Sequence, residues 1–160
     1  EEQVGRLHAG GALMWRRELY ATASCVVDGE VRGQARPRHT RAGRTYKVPA
    51  DRAAEAAIRR AWLAQVGDSF AGWADEVELS IHVRRRYPES YPACREGEPD
   101  LYKPDADNIT KLIKDALTGA AWLDDRYVTS EATVKHPRLR RDADRIEVEA
   151  RYYVNTWERE

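Results

Sequence analysis

Cysteine is scarce: the 160-residue chain holds two, Cys25 and Cys94, with no Cys-x-x-Cys spacing. A structural zinc site therefore has too few ligands at useful distance. Cys25 falls in an apolar, strand-like run and reads as a buried, reduced thiol. No stretch is long and apolar enough to span a membrane, and nothing resembles a secretory leader. A reducing cytoplasm is the expected setting. Net charge is also missing, since 27 basic residues balance 27 acidic ones. Total charge thus gives no argument for a polyanionic partner. The four histidines, His8, His39, His82 and His136, are scattered, and no nucleophile elbow occurs, so Ser/His/Asp catalysis is unsupported. There is no Walker A loop and no dinucleotide fingerprint.

The distribution of charge is uneven where its sum is not. Residues 32–47 carry Arg32, Arg36, Arg38, Arg41, Arg44 and Lys47 and no acid. They lack a hydrophobic period and read as a basic loop or loose hairpin, closing in a short strand at 45–48. Such a run suits phosphate contact, because guanidinium forks match phosphate oxygens and supply sequence-independent affinity. The plain alternative is a solvated loop. Acids gather instead at 96–107, at 124–125 and at the C-terminus.

Length favours one domain with a real core. Residues 1–13 are glycine-rich and weakly patterned, and residues 1–19 read as an N-terminal extension, frayed or artificial, outside a domain at 20–157. Tyr20 to Val27 reads as a strand, ended by the turn signal Asp28-Gly29. Pro49 suits a helix start. Ala54, Ile58, Ala61, Trp62 and Val66 then form one stripe over a helix at 50–66, with Gly67 as its stop. Glu55 precedes Arg59 at pairing distance. Val77, Leu79, Ile81 and Val83 alternate with polar residues in a half-buried strand. Residues 87–104 hold four prolines and form a long connection, either functional or mobile. Residues 127–135 alternate with Val128, Ala132 and Val134 inward. Ile146, Val148, Ala150, Tyr152 and Val154 alternate in the last strand, and the two final strands are expected to pair as an antiparallel hairpin. The order β-α-β-α-β-β implies a single α/β (α+β) domain, one mixed sheet with two main helices packed on it.

Residues 103–125 organise the rest. Ile109, Leu112, Ile113, Ala116 and Leu117 follow the spacing of one apolar helix face. Asp107 and Lys111 point away from that face, one turn apart. Asp105 and Asp107 stand at the helix start, and Asp124 and Asp125 follow its end. Taken singly, an Asp at a helix start is an ordinary cap and Asp124-Asp125 an ordinary turn. Taken together, four acids flanking one helix repel unless a cation sits among them, and hard oxygen ligands suit Mg²⁺ or Mn²⁺. An EF-hand is excluded, because Thr110 and Ala116 occupy positions that need Gly and Glu. The expectation is that these carboxylates bind divalent metal and cut nucleic acid. Arg36, Arg38, Arg41, Arg44 and Lys47 would contact DNA.

The run Asp105-Ala-Asp107-Asn108-Ile-Thr-Lys111, then Asp115-Ala116-Leu117, then Trp122-Leu123-Asp124-Asp125 resembles the RusA-like crossover junction endodeoxyribonucleases. The upstream Gly-x-Ala-Arg36-Pro37-Arg38 and Gly43-Arg44-Thr-Tyr46 are similar to that family's basic loop. The resemblance covers roughly residues 20–154. It implies a Mg²⁺-dependent homodimer, with Mn²⁺ as a substitute, that nicks symmetric strands of four-way (Holliday) junction DNA in recombination and repair. The family's essential acids fall on Asp105, Asp107 and Asp125, and its important lysine on Lys111; the resemblance thus implies that Asp105, Asp107 and Asp125 converge on one metal, with Asp124 as an outer ligand. Two other classes stay open: a non-catalytic DNA-binding protein with a structural acid cluster, and a phosphoesterase acting on a smaller substrate.

Overall fold

A computed structural model describes residues 4–7, 13–35, 38–39, 45–70, 72 and 74–159. Among these the order is β1 (Val4–Leu7), β2 (Leu13–Asp28), β3 (Arg38–His39), β4 (Thr45–Tyr46), α1 (Pro49–Gln65), β5 (Glu76–Arg84), α2 (Ala106–Leu117), β6 (Val128–Lys135) and β7 (Arg145–Arg159). One sheet runs β1-β2-β7-β5-β6, and β3 with β4 forms a separate ribbon. The expected single mixed α/β domain, with its β-α-β-α-β-β order of main elements, is what the chain builds.

Both helices lie where the apolar stripes put them. Ile58 and Trp62 of α1 are buried, with Ala54 and Val66 packed beside them. Pro49 opens α1, and Gly67, at φ +90°, accepts the left-handed turn after it while its N–H reaches the Leu63 carbonyl. All five stripe residues of α2 are buried. Each large one withdraws about 1.5–3 kcal/mol of apolar surface from water, so α2 is held firmly while its polar face stays outside. The β5 alternation is regular, with Val77, Leu79, Ile81 and Val83 under the helices. Cys25 is buried, and burial pushes its thiol up to about 11.

Three expectations give way. The final strands do not form a hairpin: β5 lies between them, parallel to β6 and antiparallel to β7. Helix α2 is the crossover that parallel pairing of β5 and β6 requires, and the 136–144 loop carries the chain across the end of β5. Val128 packs against the core as expected, but beyond it the faces of β6 are exchanged. Glu131 and Thr133 point toward α2, pairing with Lys114 and Thr110, while Val134 is exposed and Ala132 with it. A register irregularity at Val77/Glu78 accompanies this. Finally, strand structure starts earlier than Tyr20. Leu13 to Leu19 pairs with Arg159 to Tyr153 across an irregularity at Leu19/Ala21, and β1 pairs with the start of β2. Part of the expected extension at 1–19 therefore belongs to the sheet.

Candidate functional site

The start of α2 is built from four neighbouring pieces. Arg85, just past β5, forms a two-bond fork with Asp100, at 2.7 and 2.5 Å, and donates to the carbonyls of Tyr102 and Lys103. Lys135, the last residue of β6, donates to the carbonyls of Tyr102 and Pro104. The segment delivering the chain to Asp105 is thus tied to two strand ends. Arg85 and Asp100 are both buried. Asp100→Ala would strand a buried guanidinium and is expected to cost about 3–5 kcal/mol, read as a fall in the urea midpoint.

Asp105 occupies the N-cap position of α2, yet its side chain makes no capping hydrogen bond. Asp107 sits in the first turn and Lys111 one turn on, and both are exposed. Neither these two carboxylates nor Lys111 has a hydrogen-bond or ion-pair partner among the described residues. The capping role open to Asp105 is therefore not taken up. Both carboxylates line an open cleft of about 800 Å³, which Arg32, Gly33, Gln34, Lys103 and Asn108 also border.

The start of the basic arm forms the cleft's other wall. The Gln34 N–H donates to the Asn108 carbonyl, and the Ala35 N–H to the buried Asp51 carboxylate. Gly33 must be glycine for this approach. A Cβ there would lie 2.7 Å from the Pro104 Cβ and 3.0 Å from that of Asn108. One carboxylate oxygen of Asp115 accepts from both Gln34, at 2.6 Å, and Lys47, at 2.7 Å. A single side chain on α2 thus ties down both flanks of the arm. Lys47 also donates to Glu55, at 2.8 Å. Asp115, then Glu55, hold its ammonium above the ordinary lysine range. Lys47 is an anchor here rather than a free phosphate contact, and Glu55 pairs with it rather than with Arg59. Arg59 instead donates to the carbonyls of Thr118 and Gly119 at the end of α2. Asp115→Ala removes both ties. With Lys47 41% exposed, the loss is expected near 1–2 kcal/mol, below the ~1.5–3 of a better-buried charged bond. Trypsin cutting between Gln34 and Lys47, followed by mass spectrometry, should speed several-fold. Arg36, Arg41 and Arg44 lie outside the described residues, as does the side chain of Arg38.

The downstream acids stand elsewhere. Asp124 accepts from the Arg126 N–H and caps the short turn Asp125–Tyr127. Asp125 accepts from the Thr118 hydroxyl, at 2.5 Å, and the Trp122 indole N–H, at 3.2 Å. Thr118 is the C-cap of α2, so Asp125 sits at the far end of the helix from Asp105. With 12 residues, α2 separates its ends by about 18 Å. Ligands of one Mg²⁺ lie about 2.1 Å from it, and no rotamer change closes such a gap. Accordingly, no group of three His, Cys, Asp or Glu side chains among the described residues is disposed to hold a metal. Within one chain, Asp105 and Asp107 line the same cleft and Asp125 does not.

One pairing escaped the sequence reading. The His82 and His136 rings meet at 3.0 Å between Nδ1 and Nε2. Burial, with Arg84 and His82 nearby, lowers the His136 pKa. Their separation in sequence left no local signal.

A mixed α/β domain that presents two uncommitted carboxylates at a helix start, in a cleft shared with cationic side chains, has the parts of a phosphodiester-processing protein. The family model described as endodeoxyribonuclease RusA matches residues 28–151, and the chain belongs to that family. No curated protein matches the chain.

Proposed function

We propose that the protein is a Mg²⁺-dependent, homodimeric endonuclease that resolves four-way DNA junctions by paired symmetric nicks. The observation that carries this reading is the Asp105/Asp107 pair, without partners among the described residues and open to the cleft. Their donor set fits the ion, since Mg²⁺ is commonly held by one or two carboxylates and keeps several waters. Bound there, Mg²⁺ would supply Lewis-acid polarisation of the phosphate and an activated water. Lys111, one turn from Asp107, would neutralise charge developing on the phosphate. Arg36, Arg38, Arg41 and Arg44 would grip the backbone, held in place through Asp115.

The position of Asp125 supports a dimer. A two-fold axis across α2 sets two copies of the helix antiparallel. The C-terminal end of one then lies beside the N-terminal end of the other. Asp125 of a second copy would complete the Asp105/Asp107 pair, giving two identical centres related by the symmetry of the junction. The absence of a capping bond from Asp105 speaks against a purely structural acid cluster.

The test is incubation with labelled four-way junction and linear duplex, with Mg²⁺ and with chelator. Symmetric nicks in the junction alone, abolished by chelator, are expected. Binding without nicking under every condition would favour the non-catalytic alternative. Indifference to junction geometry would favour a smaller phosphoester.

A further inference from the structure

The long connection before Asp105 is not used by the reading above, yet it is firmly built. Of residues 100–104, four are fixed by Arg85 and Lys135, through the Asp100 side chain and the carbonyls of Tyr102, Lys103 and Pro104. The remaining one, Leu101, is 87% exposed. An isolated exposed leucine is ordinary. What sets this one apart is its mounting: a rigid support, four positions before a proposed metal ligand, with an aromatic cavity alongside.

That cavity holds about 190 Å³ and is lined by Tyr87, Tyr91, Tyr102, Arg138 and the Arg95–Glu98 ion pair, among others. Tyr87 packs edge-on against Tyr91, and Tyr91 tilts against Tyr102. The Tyr87 hydroxyl donates to the Pro92 carbonyl, closing the floor. The Arg138 guanidinium donates twice to the Arg86 carbonyl, which fixes its plane near the Tyr102 ring. Tyr91 and Tyr102 are 38% and 47% exposed, so aromatic surface remains open for a ligand. The space is of the order of one planar heterocycle.

We infer that this cavity is a binding site for a single nucleobase, displaced from the stack at the branch point by Leu101. Apolar wedges that enter a base step unstack it at a cost of a few kcal/mol. Aromatic and guanidinium faces that receive the freed base recover part of that cost, without regard to its identity. Bases at a branch point lack one continuous stacking neighbour, so opening costs less there than within duplex. The pairing of wedge and cavity beside Asp105 would present a strained strand to the cleft and favour junctions over linear DNA.

The inference rests on the nuclease reading, and its test separates the two. Junction binding is measured by fluorescence anisotropy in chelator for the wild type, Leu101→Ala, Tyr102→Ala and Tyr102→Phe. The Tyr102 hydroxyl has no hydrogen-bond partner among the described residues, so the phenylalanine variant keeps the stacking surface and the fold. Tyr102→Ala is expected to weaken binding about tenfold, Leu101→Ala at least threefold, and Tyr102→Phe not at all. A second set of junctions carries one abasic nucleotide, moved stepwise through the branch point. At one position the difference between Tyr102→Ala and wild type should vanish, because no base is left to stack. A penalty that persists undiminished at every abasic position would overturn the inference, as would equal binding by Tyr102→Ala and wild type. If the wild type cuts junctions while those results are obtained, the nuclease reading survives and the base site alone fails. If the wild type neither binds nor cuts any DNA, both fall.

Discussion

Asp107→Asn is expected to abolish junction cleavage while leaving junction binding intact or tighter. The substitution conserves volume and removes one negative charge. Asp107 is exposed and has no partner among the described residues, so stability should move by less than about 0.5 kcal/mol. Its proposed task is to hold a cation against a phosphate. Losing about 4 kcal/mol of that stabilisation corresponds to roughly a thousandfold in rate, at 1.36 kcal/mol per decade. Binding should respond in the opposite sense, since one fewer carboxylate faces the DNA backbone. Single-turnover cutting and gel-shift titration on the same preparation read the two effects separately. Cutting at the wild-type rate would remove Asp107 from the chemistry.

The second large effect is a gain of activity from two inactive proteins. Asp125→Asn should also be inactive, and it should fold, because the amide oxygen can still accept from Thr118 and Trp122. Consider a dimer with one Asp107→Asn chain and one Asp125→Asn chain. If each centre draws Asp105 and Asp107 from one copy and Asp125 from the other, one centre carries both lesions and the second carries none. Mixing the two variants should then restore single nicks, at about a quarter of wild-type activity for random pairing with half of all dimers mixed. If each centre were confined to one chain, both centres in every mixed dimer would be damaged and mixing would restore nothing. Denaturing gels that distinguish one nicked strand from two decide between these arrangements.

How much of this was readable from residues alone depends on the range of the forces involved. The stripe Ile109, Leu112, Ile113, Ala116, Leu117 and the alternation Val77, Leu79, Ile81, Val83 are local periodicities, and burial follows them directly. Trp62 and Gly67 behave as their local context indicates. The pairing of β6 was not local. Alternation marks a strand but names no neighbour, and the intervening helix α2 decided for parallel pairing with β5. The exchanged faces of β6 follow from Thr133 and Glu131 finding hydroxyl and ammonium partners on α2. Leu13 to Leu19 carries little periodicity and is ordered by the long partner strand β7.

The site divides in the same way. Asp105, Asp107 and Lys111 are set by helix phase, and they lie where phase puts them. The expected convergence of Asp125 ignored the length of the helix between. Counting α2's residues would have shown that its ends are too far apart. The anchoring role of Lys47 depends on Asp115, 68 positions away, and no spacing rule connects them.

If two copies complete each centre as proposed, distributing the acids over the two ends of α2 would also turn abundance into a safeguard. A newly made chain that has not met a second copy would own only part of a cutting centre, and it could travel along intact DNA without scarring it. At dilute expression the rate would climb with the square of chain concentration and become linear only once pairing saturates. Damage to intact DNA would thereby be deferred until enough copies had accumulated to act in concert.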